Sequence, residues 1–163
     1  MDSVQAQFRL IYEETNKPVF NLVRTRVASR DDALDILQEV YIDFWKALKR
    51  GKFVYRSNPE LLGFLYLIAR RKIARFYLFR RFTLSLDDLE PREDPAESDQ
   101  REILFALRKL GNTDREVLDL RYFSGLSFGE IASLLDKNEN AIKVRHHRAM
   151  RKLKDILGYE ETS

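Results

Sequence analysis

The side chains of this sequence that are best suited to bind a ligand are mainly cations near its C-terminal end. Between residues 143 and 154 six of them crowd one predicted helix: Lys143, Arg145, Arg148, Arg151, Lys152 and Lys154. Apolar residues recur there at helical spacing and are expected to pack inward: Ile142, Ala149, Leu153 and Ile156. Outward cations neutralise phosphates and can bond to guanine edges. A solvated charged helix would show the same pattern. The elements that precede this helix must therefore distinguish DNA binding from a merely solvated surface.

The residues before this helix predict a helix-turn-helix. Ser127 and Glu130 have the capping-box spacing and open a short helix, Phe128 to Leu135. A tight turn of Asp136, Lys137 and Asn138 follows, and Asn138 can cap the basic helix, which is expected to end at Gly158. A short helix, a tight turn and a longer basic helix are typical of proteins that place the second helix in the major groove.

Two further helices are expected to support this motif. The first ends at Gly111, and the second opens with a capping box of Thr113 and Glu116 and ends at Ser124-Gly125. Both histidines lie on the basic helix: His146 on its packed side and His147 on its outer side. Neighbouring positions of a helix do not face each other, so the pair makes a poor metal site.

A second set of candidate residues lies in the N-terminal half. Asn16-Lys17-Pro18 predicts a restart of the first helix, and the spacing of Ser29 and Asp32 opens the next one. That helix carries a broad apolar face: Leu34, Leu37, Val40, Tyr41, Phe44, Trp45 and Leu48. Four polar residues lie off this face and form either a partner surface or an ordinary solvated one: Asp35, Gln38, Glu39 and Asp43.

The next predicted helix combines cations with aromatic rings. A polar loop, Lys49 to Ser57, precedes it, and Asn58 is its expected N-cap, with proline following. Its basic residues are Arg70, Arg71, Lys72, Arg75, Arg80 and Arg81, interleaved with Phe76, Tyr77, Phe79 and Phe82. Arginines can follow a single strand while bases stack on rings. For Phe76 and Phe79 we instead expect packing in the core.

Composition limits the domain organisation and the functional class. The 163 residues, with a net charge of +3, suffice for two small domains. Seven acids and two prolines crowd the stretch from Thr83 to Gln100, which predicts a flexible acidic linker. The sequence has no cysteine, no glycine-rich loop and no early apolar run, which favours a cytoplasmic protein and disfavours an enzyme.

Several motifs resemble the extracytoplasmic-function (ECF) group of bacterial RNA polymerase sigma factors. The segments Thr113 to Leu118, Leu120 to Phe123, Gly125 to Ser127, Glu130 to Ala132 and Lys143 to Ala149 resemble region 4 of that group. Asp35 to Tyr41 with Phe44-Trp45 resembles region 2, and Leu65 to Arg70 resembles the start of the DNA-melting helix. Both motif sets in this order, in so short a chain, are more specific than a helix-turn-helix alone.

The resemblance implies an all-α fold of two domains, with residues 1–82 as region 2, residues 83–100 as the linker and residues 101–163 as region 4. It implies neither enzyme activity nor a cofactor; the implied partners are core RNA polymerase, promoter DNA and an anti-sigma factor. The free protein is expected to be a monomer without membrane insertion.

The resemblance also assigns roles to residues. The acidic set Asp35, Gln38, Glu39 and Asp43 would bind polymerase. Recognition and melting of the −10 element would fall to Lys52, Phe53, Arg70, Arg71, Lys72 and Arg75. The −35 element would be read by Asn138, Asn140, Lys143, Val144, Arg145, His147, Arg148 and Arg151. The chain departs from the family at Arg71, Val144 and His146, and has a longer 49–57 loop, which leaves the promoter sequence open.

Two other functions remain open from the residues alone. A conventional helix-turn-helix regulator would share the C-terminal pattern, but it has no need of the acidic set or of the basic aromatic helix. An enzyme would need a nucleophile, a metal set or a phosphate loop, none of which is evident in the sequence.

Overall fold

The chain folds as two compact helical units in the computed structural model, which describes residues 2–83 and 101–159. The first unit contains α1 (Asp2–Arg24), α2 (Arg30–Lys49) and α3 (Asn58–Thr83). The second contains α4 (Arg101–Lys109), α5 (Asn112–Leu118), α6 (Phe128–Leu135) and α7 (Glu139–Leu157). All regular elements of the described residues are helical, which confirms the all-α class. The predicted acidic linker, apart from Thr83, lies outside the described residues.

The core of the first unit forms where α2 packs against both α1 and α3. The apolar face predicted for α2 is largely buried, although Leu34 is exposed and Trp45 is half-buried. The ring of Phe44 is fully buried and contacts the rings of Phe8 on α1 and Phe64 on α3. Burial of each such side chain stabilises the fold by roughly 1.5–3 kcal/mol, so α2 is the central element of this unit.

The first helix is continuous, and the predicted restart at Asn16-Lys17-Pro18 is wrong. Helix α1 runs from Asp2 to Arg24 with Pro18 inside it. Beyond the proline, Val19, Leu22 and Val23 are all buried. Because those residues can reach the core only if the helix continues, their packing offsets the hydrogen bond that proline cannot make.

The start of α3 is also one residue earlier than predicted. Asn58 is the first helical residue and not the N-cap. The backbone N–H of Glu60 donates to the Ser57 hydroxyl oxygen at 3.5 Å, so Ser57 occupies the capping position. The Asn58 side chain instead accepts a hydrogen bond from the Tyr55 hydroxyl at 2.9 Å. A serine and an asparagine side by side are both good caps, and only the loop conformation chooses between them.

The helix-turn-helix of the second unit matches its prediction. Helix α6 spans Phe128–Leu135, and Ser127 and Glu130 form both hydrogen bonds of the capping box, at 3.1 and 2.8 Å. The turn passes through Asp136 in the left-handed conformation, at φ 52°. The Asn138 side chain then accepts from the N–H of Asn140 at 2.8 Å and caps α7, which ends at Gly158.

The second helix of this unit differs from its prediction at the start. Helix α5 begins at Asn112 after Gly111, and no side chain caps it, so the predicted capping box of Thr113 and Glu116 is wrong. Its C-terminal part widens into a π-helical turn, Asp119–Phe123, before the predicted end at Ser124-Gly125. Gly125 has a φ of 71°, which suits glycine because it lacks a Cβ.

Candidate partner surface and nucleic-acid interface

The four polar residues predicted on α2 lie together on one side of that helix. Asp35, Gln38 and Glu39 are exposed, and Asp43 is partly exposed. We call these four residues the acidic face. Lys72 of α3 reaches across to it, and its Nζ lies 3.5 Å from a Glu39 carboxylate oxygen and 2.8 Å from one of Asp43. The Lys72 side chain is only 14% exposed, so this residue contacts the acidic face from inside the unit.

An apolar groove of about 600 Å³ lies beside the acidic face, between α1 and α2. Its lining is largely aromatic: Phe8, Tyr12, Tyr41, Ile42 and Trp45, with Gln5 and Gln38 at its polar positions. Gln38 therefore belongs to both the groove and the acidic face. The sequence predicted Tyr41 and Trp45 on the apolar face of α2, but the groove itself depends on how α1 packs against α2.

The loop before α3 brings only one of its two predicted DNA residues to the surface. Lys52 is exposed. Phe53 is half-buried, with its ring centroid 4.8 Å from that of Phe64 and 5.5 Å from that of Phe44. Aromatic pairs at these distances stabilise a loop, so the Phe53 ring fastens the loop to the core of the unit.

The cations of α3 divide between two roles. Arg70, Arg71 and Arg75 are exposed, and we call them the basic face. Arg80 lies 3.4 Å from an Asp32 carboxylate oxygen and stacks over the Phe76 ring, whereas Lys72 points to the acidic face. Among the described cations of α3, those of the basic face are therefore the most exposed to solvent.

The aromatic residues of α3 correct one prediction. Phe76 is half-buried, in keeping with the core packing expected of it, but Phe79 is 68% exposed. The core packing predicted for Phe79 is therefore wrong. Periodicity alone did not reveal that the C-terminal turns of α3 extend along the surface. Tyr77 is also exposed, and its hydroxyl donates to the Arg26 carbonyl oxygen.

The apolar side of α7 largely follows the predicted pattern. Ile142 and Ala149 are buried and Leu153 is half-buried, but Ile156 is exposed because it lies in the last turn of the helix. Leu107, Leu110 and Leu118 form a buried cluster with Ala149. This cluster holds α7 against α4 and α5.

The two histidines lie where the sequence placed them. His146 is half-buried, with its Nε2 2.8 Å from the Tyr122 hydroxyl and its ring 5.0 Å from the Phe128 ring. Burial lowers the pKa of His146, and the nearby Arg121 and His147 lower it further. A neutral imidazole can accept a hydrogen bond from the Tyr122 hydroxyl at Nε2. His147 is exposed, as expected.

Most of the residues predicted to read the −35 element lie on the outer side of α7. Asn140, Lys143, Val144, His147, Arg148 and Arg151 are exposed, Asn138 is exposed in the turn before the helix, and Arg145 is half-buried. Three of them also have side-chain partners among the described residues, and one of these, Arg148, bonds to Asp114. Lys143 lies 3.0 Å from Glu139 in an exposed pair, and Asn138 serves as the cap described above. Exposed pairs of this kind contribute little stability and exchange readily with other partners.

Asp114 is a functional candidate that the sequence reasoning missed. Its side chain is only 4% exposed, and its two oxygens accept hydrogen bonds from α7: Oδ1 from Arg148 at 3.0 Å and Oδ2 from Lys152 at 2.8 Å. Burial alone would raise the pKa of Asp114, but the bonds and charges of Lys152 and Arg148 lower it below its usual value. A single aspartate early in a helix ordinarily indicates only a favourable helix end, so the sequence carried no signal of this contact.

The described residues lack two other kinds of site. Within residues 2–83 and 101–159, His, Asp and Glu side chains nowhere gather in threes close enough to bind a metal ion. In the same ranges no helix has the length and apolar character needed to cross a bilayer.

Comparison with known proteins defines the class of protein. The family model for Sigma-70 region 2 matches residues 11–83, and the model for Sigma-70, region 4 matches residues 100–153. These matches contain the acidic and basic faces in the first unit and the helix-turn-helix in the second. The chain is thus a two-part helical protein that contains Sigma-70 regions 2 and 4.

Individual relatives agree with this class. The ECF RNA polymerase sigma factor BldN of Streptomyces coelicolor is 31% identical over 162 residues, which cover 92% of this chain and 60% of BldN. The chain thus spans less than two thirds of the length of that relative. The ECF sigma factor SigK of Mycobacterium tuberculosis is 25% identical over 164 residues, covering 94% of this chain and 87% of SigK.

A solved structure is similar in fold. It is that of the sigma factor RpoE in complex with the anti-sigma factor NepR from Bartonella quintana, with a TM-score of 0.74, 21% identity, and coverage of 99% of this chain and 100% of that one. The chain belongs to the sigma-70 family of RNA polymerase sigma factors, in its ECF group. Proteins of this family direct RNA polymerase to promoters.

Proposed function

We propose that this chain binds core RNA polymerase, directs it to specific promoters and initiates transcription, without a catalytic activity or cofactor of its own. Residues 1–82 act as region 2, residues 83–100 as the connecting linker and residues 101–163 as region 4. The protein works in the cytoplasm and is a monomer when free. The observation that carries the proposal is the capped helix-turn-helix, with Ile142 and Ala149 buried and the cations of α7 outside.

In the second unit we assign −35 recognition to the outer side of α7 and the turn before it: Asn138, Asn140, Lys143, Val144, Arg145, His147, Arg148 and Arg151. The N-terminal end of such a helix meets base edges, whereas cations farther along contact phosphates. Lys143 is therefore the base-reading candidate and Arg151 a phosphate contact. Arg148 stands at the edge of this surface, where it also bonds to Asp114.

In the first unit the basic face and Lys52 hold the melted −10 strand. Their exposed cations suit a single-stranded backbone. Phe53 and Lys72 were predicted from the family resemblance as further DNA contacts. Phe53 packs on Phe64 and so positions the loop that carries Lys52, whereas Lys72 pairs with Asp43 of the acidic face.

The acidic face binds a basic surface of core polymerase, and its carboxylates speed the encounter by long-range attraction. The solved RpoE–NepR complex is one of a sigma factor with an anti-sigma factor. By analogy we propose an anti-sigma partner for this chain. The aromatic groove beside the acidic face suits an apolar helix of such a partner.

The test is in vitro transcription with bacterial core polymerase on a genomic DNA library, with and without the full chain. Transcripts with defined start sites that depend on the chain are the expected result. Asp35→Lys should reduce both core binding and transcript yield about tenfold at low salt, because it places like charges together. The matched control is Glu102→Lys, an exposed acid of the other unit, which should leave core binding unchanged.

A conventional regulator is the competing outcome. In that case the chain would select DNA sequences but neither bind core polymerase nor yield new transcripts. Equal core binding by the parent and Asp35→Lys, with transcription intact, would remove only the assignment of the acidic face.

A further inference from the structure

Asp114 is placed unlike any residue of the proposed DNA surface. It lies in the first turn of α5, almost wholly buried, yet both of its oxygens bond to cations of α7. Arg148 and Lys152 are one helical turn apart, and each is about half exposed, at 54% and 52%. A buried carboxylate therefore holds two cations at the edge of the surface proposed to meet DNA.

The two bonds restrict how α7 can move. Helices α5 and α7 also share a buried apolar cluster that contains Leu118 and Ala149, but apolar packing has little directional preference. Bonds from one rigid carboxylate to two successive turns fix both the rotation of α7 about its axis and its position along that axis. Base readout needs such precision, because a hydrogen bond weakens steeply outside its narrow range of length and angle.

The same carboxylate also changes the charge that α7 presents. Attraction to DNA that is independent of sequence grows with the number of phosphates that the protein neutralises. Arg148 and Lys152 already have a counter-charge at 3.0 and 2.8 Å. They therefore add less to this attraction than an exposed cation such as Arg151.

We infer that Asp114 is a positioning and specificity-determining residue for promoter recognition: it orients α7, and with it Arg148 of the −35 surface, and it weakens the attraction of Arg148 and Lys152 to phosphates. The inference rests on the proposed function, since it concerns the surface assigned to the −35 element. Asp114 contacts no base itself. It raises the ratio of specific to non-specific binding in two ways. By orienting α7 it strengthens binding to the promoter, and by pairing with two cations it weakens binding to other DNA.

The test uses the full chain assembled with core polymerase and two duplexes. One is a promoter obtained in the transcription experiment, and the other is that promoter with its upstream element scrambled. Affinities for both are measured over a range of salt concentrations. The binding ratio and the slope of log affinity against log salt do not depend on the fraction of protein that is active.

For Asp114→Asn we expect three changes. The salt slope should steepen by roughly 0.9–1.8, as one or two freed cations reach phosphates. Affinity for the scrambled duplex should rise at low salt. The promoter-to-scrambled ratio should fall about tenfold, the equivalent of one misplaced base contact. A residue with a purely structural role would lower both affinities together and leave the slope unchanged, and that result would overturn the inference.

Matched variants separate positioning from net charge. Asp155→Asn removes an exposed acid from α7 itself and should preserve the binding ratio. If it lowers the ratio as Asp114→Asn does, net charge explains the effect and the inference is wrong. Lys152→Gln should keep the parent salt slope, whereas Arg151→Gln should lower it by about one. Equal slope changes in these two variants would also overturn the inference, even if Asp114→Asn did not fold.

The outcomes also separate this inference from the proposed function. If the parent holoenzyme binds the promoter no better than its scrambled form, the proposed recognition of the −35 element by α7 fails, while the transcription experiment tests the rest of the proposed function. If the parent is selective and Asp114→Asn keeps the parent ratio and slope, only the role of Asp114 fails.

Discussion

The two units of the chain contain charge clusters of the same design with opposite sign. In the first unit a largely buried lysine, Lys72, pairs with two carboxylates on the surface of α2. In the second a buried carboxylate, Asp114, pairs with two cations on the surface of α7. In each unit the inner residue is opposite in sign to the surface that it supports: an acidic face proposed for polymerase and a basic helix proposed for DNA.

The clusters differ in how far the inner residue can reach. The lysine stem has four methylene groups, and its ammonium can extend toward water if its partners are lost. An aspartate has one methylene group and stays where the backbone places it. We therefore expect the second unit to depend more strongly on its cluster than the first. In both units a residue from a neighbouring helix pairs with the surface charges, so removing those charges should lower the stability of the unit.

The largest expected effect is in the second unit. Replacing Arg148 and Lys152 together with alanine leaves Asp114 buried and unpaired. We expect the free energy of local opening to fall by about 3 kcal/mol. This is toward the low end for a broken buried pair, because the unpaired carboxyl can also take up a proton. Hydrogen exchange of the α5 and α7 amides measures the free energy of local opening. The control is Arg151→Ala with Lys154→Ala on the same helix, which should lower the free energy of opening much less. An equal decrease in the two double variants would mean that the unpaired Asp114 is not the cause.

A smaller effect is expected in the first unit. Replacing Glu39 and Asp43 together with alanine removes both partners of Lys72, which can turn toward solvent. We expect a loss of about 1–2 kcal/mol in the exchange of the α2 and α3 amides, since partly exposed pairs contribute modestly. Asp35→Ala with Gln38→Ala is the matched control and should be near neutral. A loss as large as that in the second unit would show that side-chain reach does not explain the difference.

The smallest expected effect depends on pH and should appear in the second unit alone, which contains both histidines of the chain. The pKa of His146 is lower in the folded protein than its usual value of 6.5. The unfolded chain therefore binds the proton more readily, and stability present above about pH 6.5 is lost as the pH falls. Protonation also turns Nε2 into a donor, so that its hydrogen bond with the Tyr122 hydroxyl can then run only from Nε2 to the hydroxyl oxygen.

The measurement compares protection of the α7 amides at pH 7.5 and 5.5, with α2 as an internal reference. His146→Leu should abolish the pH-dependent loss in α7, whereas His147→Leu should preserve it. A parallel loss in α2, or persistence of the effect in His146→Leu, would rule out this origin. Asp114 does not titrate in this interval because its pKa is lowered.

Elements whose signals are local could be predicted from the amino-acid sequence. The capping box at Ser127 and Glu130, the cap at Asn138 and the end at Gly158 were all predicted correctly, because a cap involves residues within one turn of each other. The inward side of α7 at Ile142 and Ala149 followed from helical periodicity. The region 2 and region 4 motifs also identified the family before any contact was known.

Features that depend on a second helix could not be predicted, because they follow from how the helices pack. The continuity of α1 through Pro18 rests on burial of the residues after it, and the exposure of Phe79 rests on where α3 leaves the core. Lys72 and Asp114 gave no sign of their roles, because their partners lie 29 and 34 residues away in sequence and reach them only through helix packing. Local rules specify where a helix begins and which side is apolar, whereas an ion pair between helices depends on the rotation and spacing of both.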